Sequence, residues 1–355
     1  MYDRWNPSWQ ATASYRARVR GCLLGGAIGD ALGNPVEFAS LDRIRAEHGP
    51  RGITGLVPDG DGVVGRITDD TQMTLFTVEG LQRAHDRERH KGIGGAAPRF
   101  VRQAYGRWLD TQTRPGPGAD VDGGLAARPW LYARRAPGNA CLSGLAQDHV
   151  PDPMLPLGPP GAVNPQSKGC GAVMRSAPFG LGRAPADFAF GLAARCAQMT
   201  HGHPTGYYSA GALAAIVTRL VEGESLEGSV LRALRLLAGH PGHDETTAAL
   251  HRALDLAAEG DPTPEKVETL GAGWIAEEAL AIAVYCALAT TDVTRALLLS
   301  VNHSGDSDST GAICGNLLGA LHGDHGLPHE WLERVEGRAE IAALADDFAA
   351  ECVRR

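Results

Sequence analysis

Two stretches, GCLLGGAIGDALG (21–33) and GAICGNLLGALHG (311–323), decide how this chain is read. In the first, Gly21, Gly25, Gly29 and Gly33 recur every four residues; in the second, Gly311, Gly315, Gly319 and Gly323 do the same. That spacing places each set on one face of a helix. An interior Gly costs a helix about 1 kcal/mol relative to Ala, so a face built from Gly needs a compensating gain. A stripe without Cβ atoms lets another backbone approach closely. The expectation is that both helices lie at the centre of the fold in tight contact, with each other as candidate partners, which would join the two ends of the chain. Such packing needs no relation to chemistry.

Helical periodicity dominates the rest. It predicts helices over 14–33, 69–84, 98–112, 186–200, 205–222, 226–238, 244–259, 273–289, 292–301, 308–322 and 339–351. The apolar faces of 273–289 nearly meet around the helix, as in a buried central element. Only GITGLV (52–57) carries a weak strand signal. The reading is one all-α domain. The stretch 113–168 is rich in Pro, Gly, Asn and Asp, and a loop that long inside a compact domain is uncommon and often functional. Its larger part, 113–163, also fits a disordered insertion.

Composition excludes several classes. A hydrophobic fraction of 43% fills a core, which rules out wholesale disorder. The longest apolar run, 279–289, has 11 residues, short of the roughly 20 that span a bilayer. With 41 acidic against 33 basic residues and a net charge of -8, the chain is not a general nucleic-acid binder. The first ten residues lack a secretory pattern. Seven cysteines, an odd number with no C-x-x-C, suit a reduced cytoplasmic protein with mostly buried thiols.

Acidic residues gather at two distant helix starts: Thr68, Asp69 and Asp70 in ITDDTQMTL (67–75), and Asp306, Ser307, Asp308 and Ser309 in NHSGDSDSTGA (302–312). N-capping explains one acid at a helix start but not two at each. Two carboxylates about 4 Å apart repel by about 4 kcal/mol at an effective dielectric near 20. Four gathered in one cleft call for protonation or cations. The all-oxygen donor set of Thr68, Asp69, Asp70, Asp306, Asp308 and Ser309 suits Mg²⁺ or Mn²⁺ and not zinc, and two divalent ions would balance the four aspartates. Asp30 and Glu37 in GDALGNPVEF (29–38) follow the first Gly stripe, Asp30 as a backbone brace and Glu37 as an acid near the metals. SKGCGAVMRSAP (167–178) offers small residues and open N–H groups for a diphosphate ahead of a helix, or else an ordinary tight turn. MTHGHPTGYY (199–208) supplies His201, His203, Tyr207 and Tyr208 for metal binding, for stacking on a base, or for structure alone.

These motifs, in this order from about residue 18 to 325, resemble the ADP-ribosylglycohydrolase family. The resemblance implies a compact single-domain orthogonal multi-helix bundle over 18–355, after an N-terminal extension (1–17) and with a Pro/Gly-rich insertion at about 113–163. It implies two Mg²⁺ (or Mn²⁺) held by Thr68, Asp69, Asp70, Asp306, Asp308 and Ser309, with Glu37, Asp69 and Asp70 serving catalysis. It further implies ADP-ribose binding by Gly169, Cys170, Gly171, Met174, His201, Gly305 and Ser307. The forms GDSDST, GCGAVMR and THGHPTGY are most similar to the arginine-directed hydrolases. The implied activity is Mg-dependent hydrolysis of the N-glycosidic bond of ADP-ribosylated arginine on proteins, releasing ADP-ribose, by a cytoplasmic monomer with no membrane partner. Serine-linked ADP-ribose, O-acetyl-ADP-ribose, a modified nucleobase, nucleotide phosphohydrolysis and non-enzymatic ADP-ribose binding stay open.

Overall fold

The computed structural model describes residues 9–119, 121 and 123–354. Its α-helices in chain order are α1 (Trp9–Gly33), α2 (Leu41–His48), α3 (Asp69–Lys91), α4 (Ala97–Thr113), α5 (Asn139–Leu145), α6 (Ala186–Ala197), α7 (Pro204–Glu222), α8 (Leu226–Leu237), α9 (Asp244–Ala258), α10 (Pro264–Glu268), α11 (Ala276–Leu288), α12 (Val293–Val301), α13 (Ser307–His322), α14 (His329–Arg334) and α15 (Arg338–Val353). The described residues contain no strand, only two isolated bridges, so the protein is all-α. The strand expected at 52–57 does not form. The N–H and C=O of Ile53 bond instead to the Asn302 side chain, at 2.9 and 3.0 Å, which removes them from any ladder.

The Gly stripes meet as an antiparallel seam. Gly21 faces Gly319, Gly25 faces Gly315 and Gly29 faces Gly311; a Cβ built on Gly25 would lie 2.3 Å from the Gly315 carbonyl oxygen. The fourth pair differs from the periodic pattern. Gly33 meets the backbone of Ser307, and Gly323 lies past the helix, where its φ of 77° terminates α13. The seam brings residue 30 beside residue 308 across almost the whole chain. Around it, α11 is buried on all sides (Ala279 to Cys286 have no exposed surface) and packs against α7, α9, α12 and α13.

The stretch 113–163 carries α5 and two 3₁₀ turns at Gly124–Ala127 and Pro129–Leu131, with Asp120 and Asp122 outside the described residues. It buries Leu125, Leu131, Cys141, Leu145, Leu157 and Val163. Its backbone is satisfied by side chains of α3: Glu79 accepts from the Leu125 N–H at 3.0 Å, and Gln72 donates to the carbonyls of Leu131 (3.3 Å) and Ala133 (3.1 Å). Bonds of that kind leave no periodic trace in a sequence. All seven cysteines are free and six are buried. No helix of the described residues is long and apolar enough to cross a membrane.

Candidate active site

The two acidic clusters converge because the seam fixes α1 on α13, while α3 is tied to α1 through Asp30. The buried Asp30 carboxylate accepts from the Thr68 N–H at 2.9 Å, the Thr71 N–H at 3.1 Å and the Thr71 hydroxyl at 2.5 Å. It is the brace that the sequence suggests. Thr68 then caps α3, its Oγ1 accepting from the Asp70 N–H at 3.3 Å. Asp306 caps α13 by accepting from the Ser309 N–H at 3.3 Å, and Asp308 Oδ1 accepts from the same group at 2.9 Å. The capping explanation is thus correct for Thr68 and Asp306, and it leaves the other carboxylates unexplained.

Those carboxylates line a cleft of about 710 Å³ together with the 169–171 loop, His201, Ser309, Phe38, Trp274, Arg134 and residues 136–140. One oxygen each from Glu37, Asp306 and Asp308 lies within 4.8 Å of the others. Asp69, Asp70, Asp306 and Asp308 are each 3% exposed. Burial and the Asp308 charge push the carboxyls of Asp69, Asp70 and Asp306 well above their ordinary range. The same causes take Glu37 to about 10 and Asp30 to about 7. Asp70 Oδ1 is fully buried and has no hydrogen-bond partner. Such an orphan costs about 1–3 kcal/mol or more. An all-oxygen set with an orphaned carboxylate oxygen fits a hard divalent cation, which would relieve both the repulsion and the missing bond.

Of the residues that sequence reasoning marked, the cleft lining contains Glu37, Asp69, Asp70, Gly169, Cys170, Gly171, His201, Asp306, Asp308 and Ser309. Thr68, Met174, Gly305 and Ser307 stand behind it. Met174 Sδ accepts from the Ser309 hydroxyl at 3.8 Å. Gly305 has a φ of 126°, and its carbonyl accepts the Phe38 N–H at 3.2 Å. Ser307 packs on Gly33. The 169–171 loop leads into a three-residue 3₁₀ turn, not a long helix, and its Cys170 N–H is committed to the Trp274 carbonyl at 3.1 Å. His201 is buried, and desolvation together with Arg175 lowers its pKa to about 3, so the ring is neutral. His203 is a structural cap of α7, and the buried hydroxyls of Tyr207 and Tyr208 bond the carbonyls of Pro159 and Pro241.

Several residues of the site escaped the sequence. Phe38 and Trp274 stack at the cleft with centroids 5.0 Å apart; the signal available was a lone Trp in the Gly-rich GAGW before α11. Arg134 and residues 136–140 come from the aperiodic stretch. Arg175, buried beneath the cleft, donates to the Gly171 carbonyl (2.8 Å) and to the Thr200 hydroxyl (2.6 Å), and Thr200 in turn bonds His201 Nδ1 at 2.7 Å. It thereby couples the loop to the histidine.

The sequence model of one family, described as ADP-ribosylglycohydrolase, matches residues 11–355. The chain belongs to the ADP-ribosylglycohydrolase family. That family comprises metal-dependent glycohydrolases. An ADP-ribosyl-[dinitrogen reductase] glycohydrolase of Rhodospirillum rubrum is 28% identical, over 92% of this chain and 93% of its own. The ADP-ribosylarginine hydrolase Tri1 of Pseudomonas putida is 26% identical, over 93% and 77%. The human ADP-ribosylhydrolase ARH3 is 27% identical, over 94% and 93%. A solved structure of an ADP-ribosylglycohydrolase-related protein complex superposes with a TM-score of 0.67 at 22% identity, over 96% of this chain and 99% of that one. It supports the ADP-ribosylglycohydrolase fold.

Proposed function

We propose that this ADP-ribosylglycohydrolase removes ADP-ribose from modified arginine on proteins, with two Mg²⁺ (or Mn²⁺) as cofactors. The observation that carries the reading is the convergence of Glu37, Asp69, Asp70, Asp306 and Asp308 on one cleft, with Asp70 Oδ1 unpartnered. Thr68, Asp69, Asp70, Asp306, Asp308 and Ser309 would hold the ions, and Glu37 lies close enough to Asp306 and Asp308 to share one. Two bound divalent cations would supply Lewis acidity and neutralise the carboxylate charge.

The remaining work falls to the chain. Gly169, Gly171 and His201 form the wall against which ADP-ribose is bound, and the neutral His201 serves as a hydrogen-bonding group, not a cation. Gly fits there because a Cβ on Gly171 would lie 2.8 Å from Cys141 Sγ and 3.1 Å from the His201 ring. Hydrolysis adds the oxygen of water to the anomeric carbon, breaks its bond to the guanidine nitrogen and returns a proton to that nitrogen. Glu37 is the carboxyl placed to take and return the proton. The arginine linkage is favoured because two of the relatives are named for arginine or dinitrogen reductase substrates. We assign the protein to the cytoplasm as a monomer.

The test is a panel of arginine-, serine- and base-linked ADP-ribose, with Mg²⁺ and with EDTA. Free ADP-ribose from the arginine linkage, dependent on Mg²⁺, is expected. Turnover of another linkage alone would replace the substrate assignment, AMP as product would make the protein a phosphohydrolase, and full activity in EDTA would remove the metals. Asp70→Ala should abolish turnover and weaken Mg²⁺ binding with the helical fold intact. Glu37→Gln should lower turnover more than ADP-ribose affinity.

A further inference from the structure

One donor in the cleft does not belong to a hard-ion site. The thiol of Cys170 donates to Asp306 Oδ2 at 2.7 Å, and Ser309 and Asp70 lie beside it. The other six cysteines are buried, whereas Cys170 is half-buried and lines the cleft. Carboxylate and water oxygens suit Mg²⁺ and Mn²⁺, whereas thiolate selects softer ions.

We propose that Cys170 makes this centre a binding site for thiophilic divalent ions, Zn²⁺ or Cd²⁺, in competition with the hard ion. Cys170 Sγ and Asp306 Oδ2 are the primary ligands, and the Glu37 and Asp308 oxygens that lie within 4.8 Å of an Asp306 oxygen supply the rest of the set. The inference rests on reading the acidic cluster as a cation site. In tetrahedral zinc coordination, with Zn–S near 2.3 Å and Zn–O near 2.1 Å, sulfur and oxygen stand about 3.6 Å apart. The pair seen at 2.7 Å therefore has to open by less than an ångström. Cys170 is half-buried at the cleft wall, where its side chain can turn while its N–H stays on the Trp274 carbonyl. The ion takes the place of the thiol proton, which leaves to the buffer. A sulfur ligand on a centre built for weaker hard-ion binding would hold the soft ion longer and inhibit the enzyme.

The test titrates metal-free, full-length protein with Cd²⁺ and follows the ultraviolet sulfur-to-cadmium charge-transfer band, with Mn²⁺ binding measured in parallel by electron paramagnetic resonance. The expected result is a band saturating at one thiolate per chain and displacement of Mn²⁺ by Cd²⁺. In Cys170→Ser the band disappears and Cd²⁺ affinity falls by about tenfold or more, while Mn²⁺ still binds; Cys170→Ala repeats the loss without the serine oxygen. No band in the wild-type protein, or an equal band in both variants, overturns the proposal. Mn²⁺ binding by the wild-type protein that is lost in Asp306→Ala, with no cadmium band in the wild-type protein, would sink this inference and leave the hard-ion centre standing. A cadmium band with no Mn²⁺ binding would uphold the soft site and overturn the hard-ion reading.

Discussion

Substituting Gly29 by Ala tests whether the seam between α1 and α13 is what assembles the site. A Cβ on Gly29 would sit 1.9 Å from the Gly311 carbonyl oxygen, and Cβ atoms in proteins essentially never approach a heavy atom closer than 3.0 Å. The helices must therefore part by about 1.1 Å at that point. The obstacle is backbone on both sides, so no side chain can turn away. Overpacking of this kind costs about 1–3 kcal/mol, against a gain of about 1 kcal/mol from the better helix propensity of Ala. Gly106 in α4 is the control. Its added Cβ would meet only the flexible end of Arg102 at 3.4 Å, so Gly106→Ala should gain about 0.5–1 kcal/mol. The two variants should shift the urea midpoint in opposite directions. Activity separates them further. Gly29 adjoins Asp30, and Gly311 lies two residues after Ser309, so opening the seam moves Asp306 and Asp308 relative to Asp69 and Asp70. Misplacement by about 1 Å can cost about a hundredfold in rate, and kcat of Gly29→Ala should fall on that scale while Gly106→Ala keeps wild-type turnover. A Gly29→Ala protein as stable and as active as the parent would refute the seam as the organiser of the site.

Two further outcomes follow from the buried charges. In chelator-treated protein the folded state holds protons on carboxyls pushed upwards, Asp30 to about 7 and Glu37 to about 10, that the unfolded chain releases near pH 4. Stability is then fully present below about pH 4 and is lost as pH rises through 7 towards 10. Urea midpoints with EDTA should fall from pH 5 to pH 8, with added Mg²⁺ restoring more at pH 8 than at pH 5; a midpoint that rises with pH in EDTA would contradict the repulsion. Arg175→Met removes the donors that hold the Gly171 carbonyl and Thr200. It should cost roughly 3 kcal/mol or more and weaken ADP-ribose binding, read by calorimetry, because both the loop and His201 lose their anchor.

Features of the molecule were legible in the sequence where a local rule and a long-range consequence coincided. The Gly stripes are such a case. Their period is a property of one helix, and their destabilising cost calls for a backbone that approaches closely, so the 21–33 and 311–323 stretches stood as candidate partners on sequence alone; the structure pairs them except at Gly33 and Gly323. The paired acids at 69–70 and 306–308 worked similarly, because capping accounts for one acid per helix start and the surplus pointed to a shared charge problem. Phe38, Trp274, Arg134 and Arg175 were not legible, each for its own reason. Phe38 is held at a φ of 65°, a conformation that sequence gives no cause to assign to a phenylalanine. Its N–H is bonded to Gly305, more than 260 residues away. Arg134 lies in a stretch whose backbone bonds are made to Gln72 and Glu79, so it has no period to read. Arg175 looks like an ordinary surface cation until its partners are known, yet it is fully buried and stabilised by the Tyr105 ring and the Gly171 carbonyl. Sequence therefore reveals the groups whose own chemistry is conspicuous. The groups that aim them are ordinary residues made functional by distant neighbours, and they become visible only when the fold places those neighbours together.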